Sequence, residues 1–265
     1  MVQRKKGAGK LPRKVLTILV LAAMPILGYT IPAMGAGGQG VNTTGPNLVY
    51  IEQLGSSNVV TIEQVGGSNK VGGTANTTPS DTNYATINGS SNTVTLTQTG
   101  DGNLSQYNIK GSNNSYISTM IGTSNTTTMT MGNQNTNTLR SSATETITGS
   151  NNTVLQNIVG NDIVSLLTIN GNYNEVTKNL LSSNGSSTVT ITGNNNKVDA
   201  QQTDTAGANG HVLVQNTVGD YNSIVTQQQG TNDTTVNIST VGSHNAITVR
   251  TSSSSIVSPV TAVAR

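Results

Sequence analysis

The chain has 265 residues, with no Trp, Phe or Cys, and only 9% of its residues are charged. Globular cores rely on large aromatics, which bury the most apolar area per residue, so this chain must gain its stability in another way and without disulfides. The formal net charge of +2 comes from the N-terminal residues alone, which argues against a basic surface for nucleic acid.

The N-terminal region carries Arg4, Lys5, Lys6, Lys10, Arg13 and Lys14 ahead of an apolar run from Val15 to Leu27. Small residues follow at Ala33, Gly35 and Ala36. A basic head, an apolar stretch and a small-residue site predict a secretory signal over residues 1–36, cleaved near Ala36. The apolar run is short for a membrane span and contains Pro25, which argues against a retained anchor. Without the six basic residues, seven remain against 11 acidic ones. Gly35, Gly37 and Gly40 spell G-x-G-x-x-G. No strand precedes them and no helix follows, so they do not form a phosphate loop. A short segment, 37–44, leads into the rest of the chain.

From residue 45 the sequence repeats itself. Gly55, Gly66, Gly89, Gly100, Gly111 and Gly122 each precede an Asn by two or three residues, and the last four stand 11 apart. Gly149, Gly160 and Gly171 keep that step, as do Gly219 and Gly230. After each Asn runs an alternating stretch. Val49, Ile51 and Gln53 follow Asn47; Val60, Ile62 and Gln64 follow Asn58; Val94, Leu96 and Gln98 follow Asn92. Val154 follows Asn152, Ile224 follows Asn222, and Ile247 with Val249 closes the series. A period of two predicts a strand, and glycine at the junction permits the positive φ of a tight turn. Eleven residues then make a strand and a turn, and about 22 make a flat coil. A coil cannot bury its apolar stripe alone, so each must lie on the next. The expectation is an all-β solenoid over residues 45–251, of roughly nine coils by division.

Some segments break the step. Irregular coils are expected near 72–83, 140–148, 181–187 and 203–210, and a flexible tail over 252–265, which holds a serine run and Pro259. Lys178 falls on an inward position after Asn174 and Val176. In 234–239 the apolar register of Val236 and Ile238 starts one residue early.

Alternation puts amides inside with the aliphatic residues. A buried amide without a partner costs about 1–3 kcal/mol. Stacked coils avoid that cost, because each amide can bond its equivalent above and below. The two ends of such a stack stay open and can dock a further coil. A narrow interior of this kind suits small and linear side chains.

The stretch through Asn47, Gln53, Asn58, Gln64 and Asn69 reads N-x5-Q-x4-N-x5-Q-x4-N, and Asn92, Gln98 and Asn103 repeat it around the turn Q-T-G-D-G-N. This resembles the repeat of curlins, the subunits of bacterial curli. The resemblance implies a secreted subunit that polymerises with itself into an extracellular, cell-surface amyloid fibre serving adhesion and biofilm matrix. It further implies a nucleator or partner subunit and an outer-membrane secretion channel. By resemblance, Gln53, Gln64, Gln98, Gln202 and Gln228 match the stacking glutamines, and Asn47, Asn58, Asn92, Asn103, Asn196 and Asn222 the strand-opening polar position. Ile109, Met120, Met131 and Ile158 stand where glutamine is expected, which interrupts the ladder in mid-chain. The segment before Asn47 is short beside the curlin secretion-targeting region, a departure that bears on the export route; with the interrupted ladder, a minor or nucleating subunit fits as well as the major one.

No constellation in the sequence points to an enzyme, a metal, a cofactor or a small-molecule substrate. His211 and His244 sit beside turns, in G-H-V and G-S-H-N, and read as solvated turn residues. Glu52 and Glu63 point outward on successive strands, hence to opposite faces, unlike an acid–base pair. Asp101, Asp220 and Asp233 sit in turns as caps and gatekeepers. The alternative reading is a non-polymerising solenoid that binds a surface: an adhesin, or an ice-binding protein, to which Thr126, Thr127, Thr128 and Thr130 point. A flat ice face requires outward threonines in every coil, and the outward residues read as mixed.

Overall fold

The computed structural model describes residues 45–73, 84–132, 137–204, 210–231, 233–253 and 260–264. The expected signal peptide and the 37–44 segment lie outside the described residues. What is described is a parallel β-solenoid of about eight turns and about 23 residues per turn. Its strands form two parallel sheets, of 12 and 9 strands. Each coil places one strand in the first sheet, turns, places the next in the second sheet, and turns again. Alternation decides which residues face inward. In Thr93–Thr99, Val94, Leu96 and Gln98 are buried while the threonines between them face out.

Register is strict. Glu175 pairs with Lys197, 22 positions on, and Val176 with Val198. In the second sheet Val164 pairs with Ser186 and Leu167 with Val189, again 22 apart. Every turn glycine named above has a positive φ, and crowding explains two of them. A Cβ on Gly149 would strike the carbonyl of Gly171, and one on Gly171 that of Gly193. The coils lie so close at these corners that only glycine fits.

The longer steps are confined to one side. The chain passes from the second sheet to the first through eight four-residue turns of form Gly-x-x-Asn, at 66–69, 100–103, 122–125, 149–152, 171–174, 193–196, 219–222 and 242–245. None carries an insertion. All extra residues fall within or just after first-sheet strands. They lengthen the step from Val59 to Thr93 to 34, from Ser115 to Ser142 to 27, from Ser186 to Val212 to 26 and from Val212 to Thr235 to 23. These additions raise the mean coil above 22.

Several expectations are corrected. Ser142–Thr148 is a regular strand inside the stretch expected to be irregular; the extra residues lie before it. The turn at 181–187 keeps the 22-residue step from Val164 to Ser186, although Ser182 and Gly185 replace the usual Gly and Asn. Lys70–Gly72 and Ala85–Asn88 are two halves of one strand level, both paired with Leu104–Ser112; residues 74–83 between them lie outside the described residues. The tail is not loose throughout: Ala246–Ser253 pairs with Ser223–Gly230, and Val260–Ala264 with Thr235–Val241. The interior also accepts two rings, Tyr107 and Tyr116, both fully buried, with centroids 6.1 Å apart.

Candidate functional site: the asparagine ladder and the coil ends

The Asn that closes each Gly-x-x-Asn turn points into the corner of the solenoid. Asn47, Asn69, Asn103, Asn125, Asn152, Asn174, Asn196, Asn222 and Asn245 stack there along the axis. Asn196 shows the unit. Its backbone N–H and its Nδ2 both donate to Asn174 Oδ1, each at 3.0 Å. Its Nδ2 also donates to the carbonyl of Gly219 in the following coil, at 2.8 Å. The same set recurs from Asn103 to Asn222; at the ends, the Asn69 N–H donates to Asn47 Oδ1 at 3.0 Å and Asn245 donates twice to Asn222. Each carboxamide oxygen therefore accepts from the coil that follows it. The ladder is directional, and it pairs groups that would be costly to bury alone.

The sequence-predicted asparagines divide between the two corners. Asn47, Asn103, Asn196 and Asn222 belong to this ladder. Asn58 and Asn92 belong to the opposite corner, with Asn114, where Asn92 donates to Asn58 Oδ1 and Asn114 to Asn92 Oδ1. That second ladder stops early: Ser141, Ile163, Gly185, His211 and Thr234 take its later positions. Asn69, Asn125, Asn152, Asn174 and Asn245 complete the long ladder and were not among the predicted stacking residues. Their signal was the invariant spacing after Gly66, Gly122, Gly149, Gly171 and Gly242.

The glutamines stack only in pairs. Gln64 Nε2 donates to Gln98 Oε1 at 2.7 Å, and Gln202 Nε2 to Gln228 Oε1 at 3.0 Å. In the first sheet Gln53 lies at the level followed by Ile87, Ile109, Met131, Ile158 and Leu180 before Gln202, so it has no glutamine neighbour. Of the predicted apolar core, Val94, Leu96, Val154, Ile224 and Val249 are buried, while Val49, Ile51, Val60, Ile62 and Ile247 are partly buried. Those five lie in end coils, which no further described strand covers.

The ends themselves are open edges among the described residues. Leu48–Val49, Ile51–Leu54 and Val59–Val65 pair on one side only, as do Ala246–Ser253 and Val260–Ala264. At the N-terminal end the first sheet presents Asn47, Val49, Ile51 and Gln53 inward and Glu52 outward. At the C-terminal end the same positions hold Asn245, Ile247, Val249, Thr251 and, outward, Arg250. Continuing the register by one coil sets Asn47 on Asn245, aliphatic on aliphatic, and Glu52 beside Arg250.

Charge also lies inside the solenoid. Glu145 is fully buried and accepts from Gln156 Nε2 at 2.6 Å, Thr127 Oγ1 at 2.6 Å and Tyr116 Oη at 3.0 Å. Burial pushes its carboxyl up, and these bonds pull it back. Burial lowers Lys178 to about 7, and the charge of Glu145 opposes that shift. The cluster is sealed from solvent, so it acts on the fold rather than on a substrate. His211 is not the solvated turn residue expected: it is fully buried, its Nδ1 2.9 Å from Thr234 Oγ1. His244 is exposed and stacks on Tyr221, 5.1 Å between centroids. Glu52 and Glu63 face outward from opposite sheets. Comparison with protein families, with curated proteins and with solved structures gave no match.

Proposed function

We propose that this chain is a secreted structural subunit of an extracellular, curli-like amyloid fibre, serving adhesion and biofilm matrix, and that it polymerises by end-to-end stacking of its coils. The observation that carries this reading is the directional asparagine ladder, which ends at Asn245 with an acceptor and begins at Asn47 with donors. A second copy placed on the C-terminal end extends both sheets, the ladder and the apolar interior at once. The uncovered aliphatic residues of the end coils supply the driving force, since burying them returns apolar area from water.

The subunit's partners on this reading are its own copies, a nucleator or companion fibre subunit, and an outer-membrane secretion channel. It is a major or nucleating component, and it needs no cofactor, nucleic acid or small-molecule substrate. The repeated carboxylates Glu52 and Glu63 lie on opposite faces and lend no support to an enzymatic role.

The test is polymerisation of the purified chain. Incubation should give, after a lag, β-rich filaments that bind amyloid dyes and diffract at the inter-strand spacing of about 4.8 Å. A chain that stays monomeric at high concentration, with and without preformed seeds, would sink the proposal.

A further inference from the structure

The two outer faces of the solenoid differ in charge. Outward positions on first-sheet strands include Glu52, Lys110, Glu175, Lys197, Asp199 and Arg250; Lys70 lies on the same side but is buried, with its ammonium over the Tyr50 ring. Across the eight second-sheet strands from Val59–Val65 to Thr235–Val241, the outward residues include a single charge, Glu63. The rest are threonine, serine, asparagine and aliphatic residues, and no extra residues interrupt any of these strands. Charges do flank the face at its corners, with Asp101 and Asp220 on one side and the Arg140–Asp162 pair, 2.6 Å, on the other.

The face is also banded. Thr93–Thr99, Ser142–Thr148 and Ser186–Thr192 present only threonine and serine outward. The strands between and beside them present Ile117 and Ile121, Val164 and Leu166, and Val214 and Val218, all substantially exposed. Rows carrying exposed aliphatic side chains thus alternate with rows of threonine and serine alone, one strand apart. Eight strands at about 4.8 Å, each about 23 Å long, span on the order of 900 Å². A standard protein interface buries about 800 Å² on each partner. An uncharged centre with a charged rim is the usual anatomy of such an interface.

We infer that the outer face of the second sheet docks a second copy of this chain, the two sheets lying face to face with the aliphatic rows of one copy over the threonine rows of the other. Three observations carry this: the missing charge, so that packing desolvates almost no ion; an area large enough for a stable pair; and exposed aliphatic side chains on alternate strands, which packing against a second identical face removes from water. The inference rests on the fibre reading for its setting, where such contacts bundle filaments side by side. It needs no end-to-end contact.

The experiment compares the purified chain with the double variant Thr146→Lys/Thr190→Lys, the double variant Thr146→Val/Thr190→Val, and a control pair on the other face, Thr177→Lys/Val225→Lys. Electron microscopy counts filaments per bundle, and sedimentation velocity follows the unpolymerised chain. The expected result is single filaments, elongating at the unchanged rate, for the Lys variant on the second sheet alone. Bundles should persist in the Val variant and in the control. Should no variant polymerise, the fibre reading fails while sedimentation still decides this one: a dimer lost only in the second-sheet Lys variant supports it, and a monomeric parent chain overturns it. Bundling unchanged by Thr146→Lys/Thr190→Lys overturns it as well. So does a monomer whose thermal hysteresis disappears with these threonines, which would give the face to ice instead.

Discussion

Lys178 lies in the sealed interior within the field of Glu145, yet its ammonium donates to the carbonyls of Leu166, at 3.1 Å, and Ser187, at 2.9 Å, rather than to the carboxylate. The two charges come from facing sheets, Glu145 on Ser142–Thr148 and Lys178 on Glu175–Leu181. Neighbouring coils are nearly alike, so a chain slipped by one coil would bury almost the same aliphatic residues. A single internal charge pair breaks that equivalence, because the slipped state leaves both charges without each other.

Stability should depend on Lys178 in a defined pH window. The unfolded chain keeps the lysine proton up to its ordinary range near 10.5, while the folded chain releases it near 7. The unfolded state binds more protons between these values, so stability falls as pH drops from about 10 to about 7, by up to about 1.4 kcal/mol per unit. Glu145, with its carboxyl raised, works in the opposite sense from the acid side. Thermal unfolding between pH 7 and about 9, below tyrosine ionisation, should show the rise in the parent chain and a flat profile in Lys178→Met.

Removing Glu145 while Lys178 remains should destabilise the chain most below pH 7, where the buried lysine holds its proton and loses its counter-charge, and less as the pH rises above it. The double variant Glu145→Leu/Lys178→Met should recover most of that loss. Denaturant unfolding of the four chains gives the coupling directly.

The asparagine ladder separates stability from growth. Asn174→Ala removes the acceptor of both Asn196 donors and the bond to Gly193. It should lower stability by about 1–3 kcal/mol. Asn245→Ala sits at the open end and should barely change unfolding, but slow filament elongation in seeded growth assays.

The joint between copies should respond to charge. With the register continued, Arg250 of one copy meets Glu52 of the next. Arg250→Glu alone should slow seeded elongation roughly tenfold by placing like charges together. Adding Glu52→Arg in the same chain should restore it, and high salt should reduce both effects.

The glycines of the turns from the second sheet to the first, from Gly66 to Gly219, have no room for a side chain. Gly171 has φ 148° and faces the Gly193 carbonyl. Gly171→Ala should cost about 3 kcal/mol or more, read as a drop in the thermal midpoint.

The repeating part of the fold was legible because the turn glycine, the asparagine and the period-two strand each follow from one local constraint. Val60, Ile62 and Gln64 sit where alternation placed them, and so does Lys178. Assignment to a corner was not legible: successive 11-residue units look alike, and only the register reveals that Asn47 and Asn58 begin different ladders. Extra residues between Gly72 and Ala85 number close to one half-coil, so they imitate a further unit. The turn after Leu181 kept its geometry while losing both marker residues, with Ser182 and Gly185 in their place. His211 follows a glycine and reads as exposed, but its neighbour in the next coil, Thr234, makes its position an interior one.

Because the additional length enters on the first-sheet side of the solenoid, that side behaves as a shelf for appended sequence. Peptides grafted between Asp204 and Gly210 would leave the asparagine-lined corner undisturbed. In a filament they would recur once per subunit at fixed axial intervals, turning the assembly into a ruler for displayed epitopes or tethered catalysts.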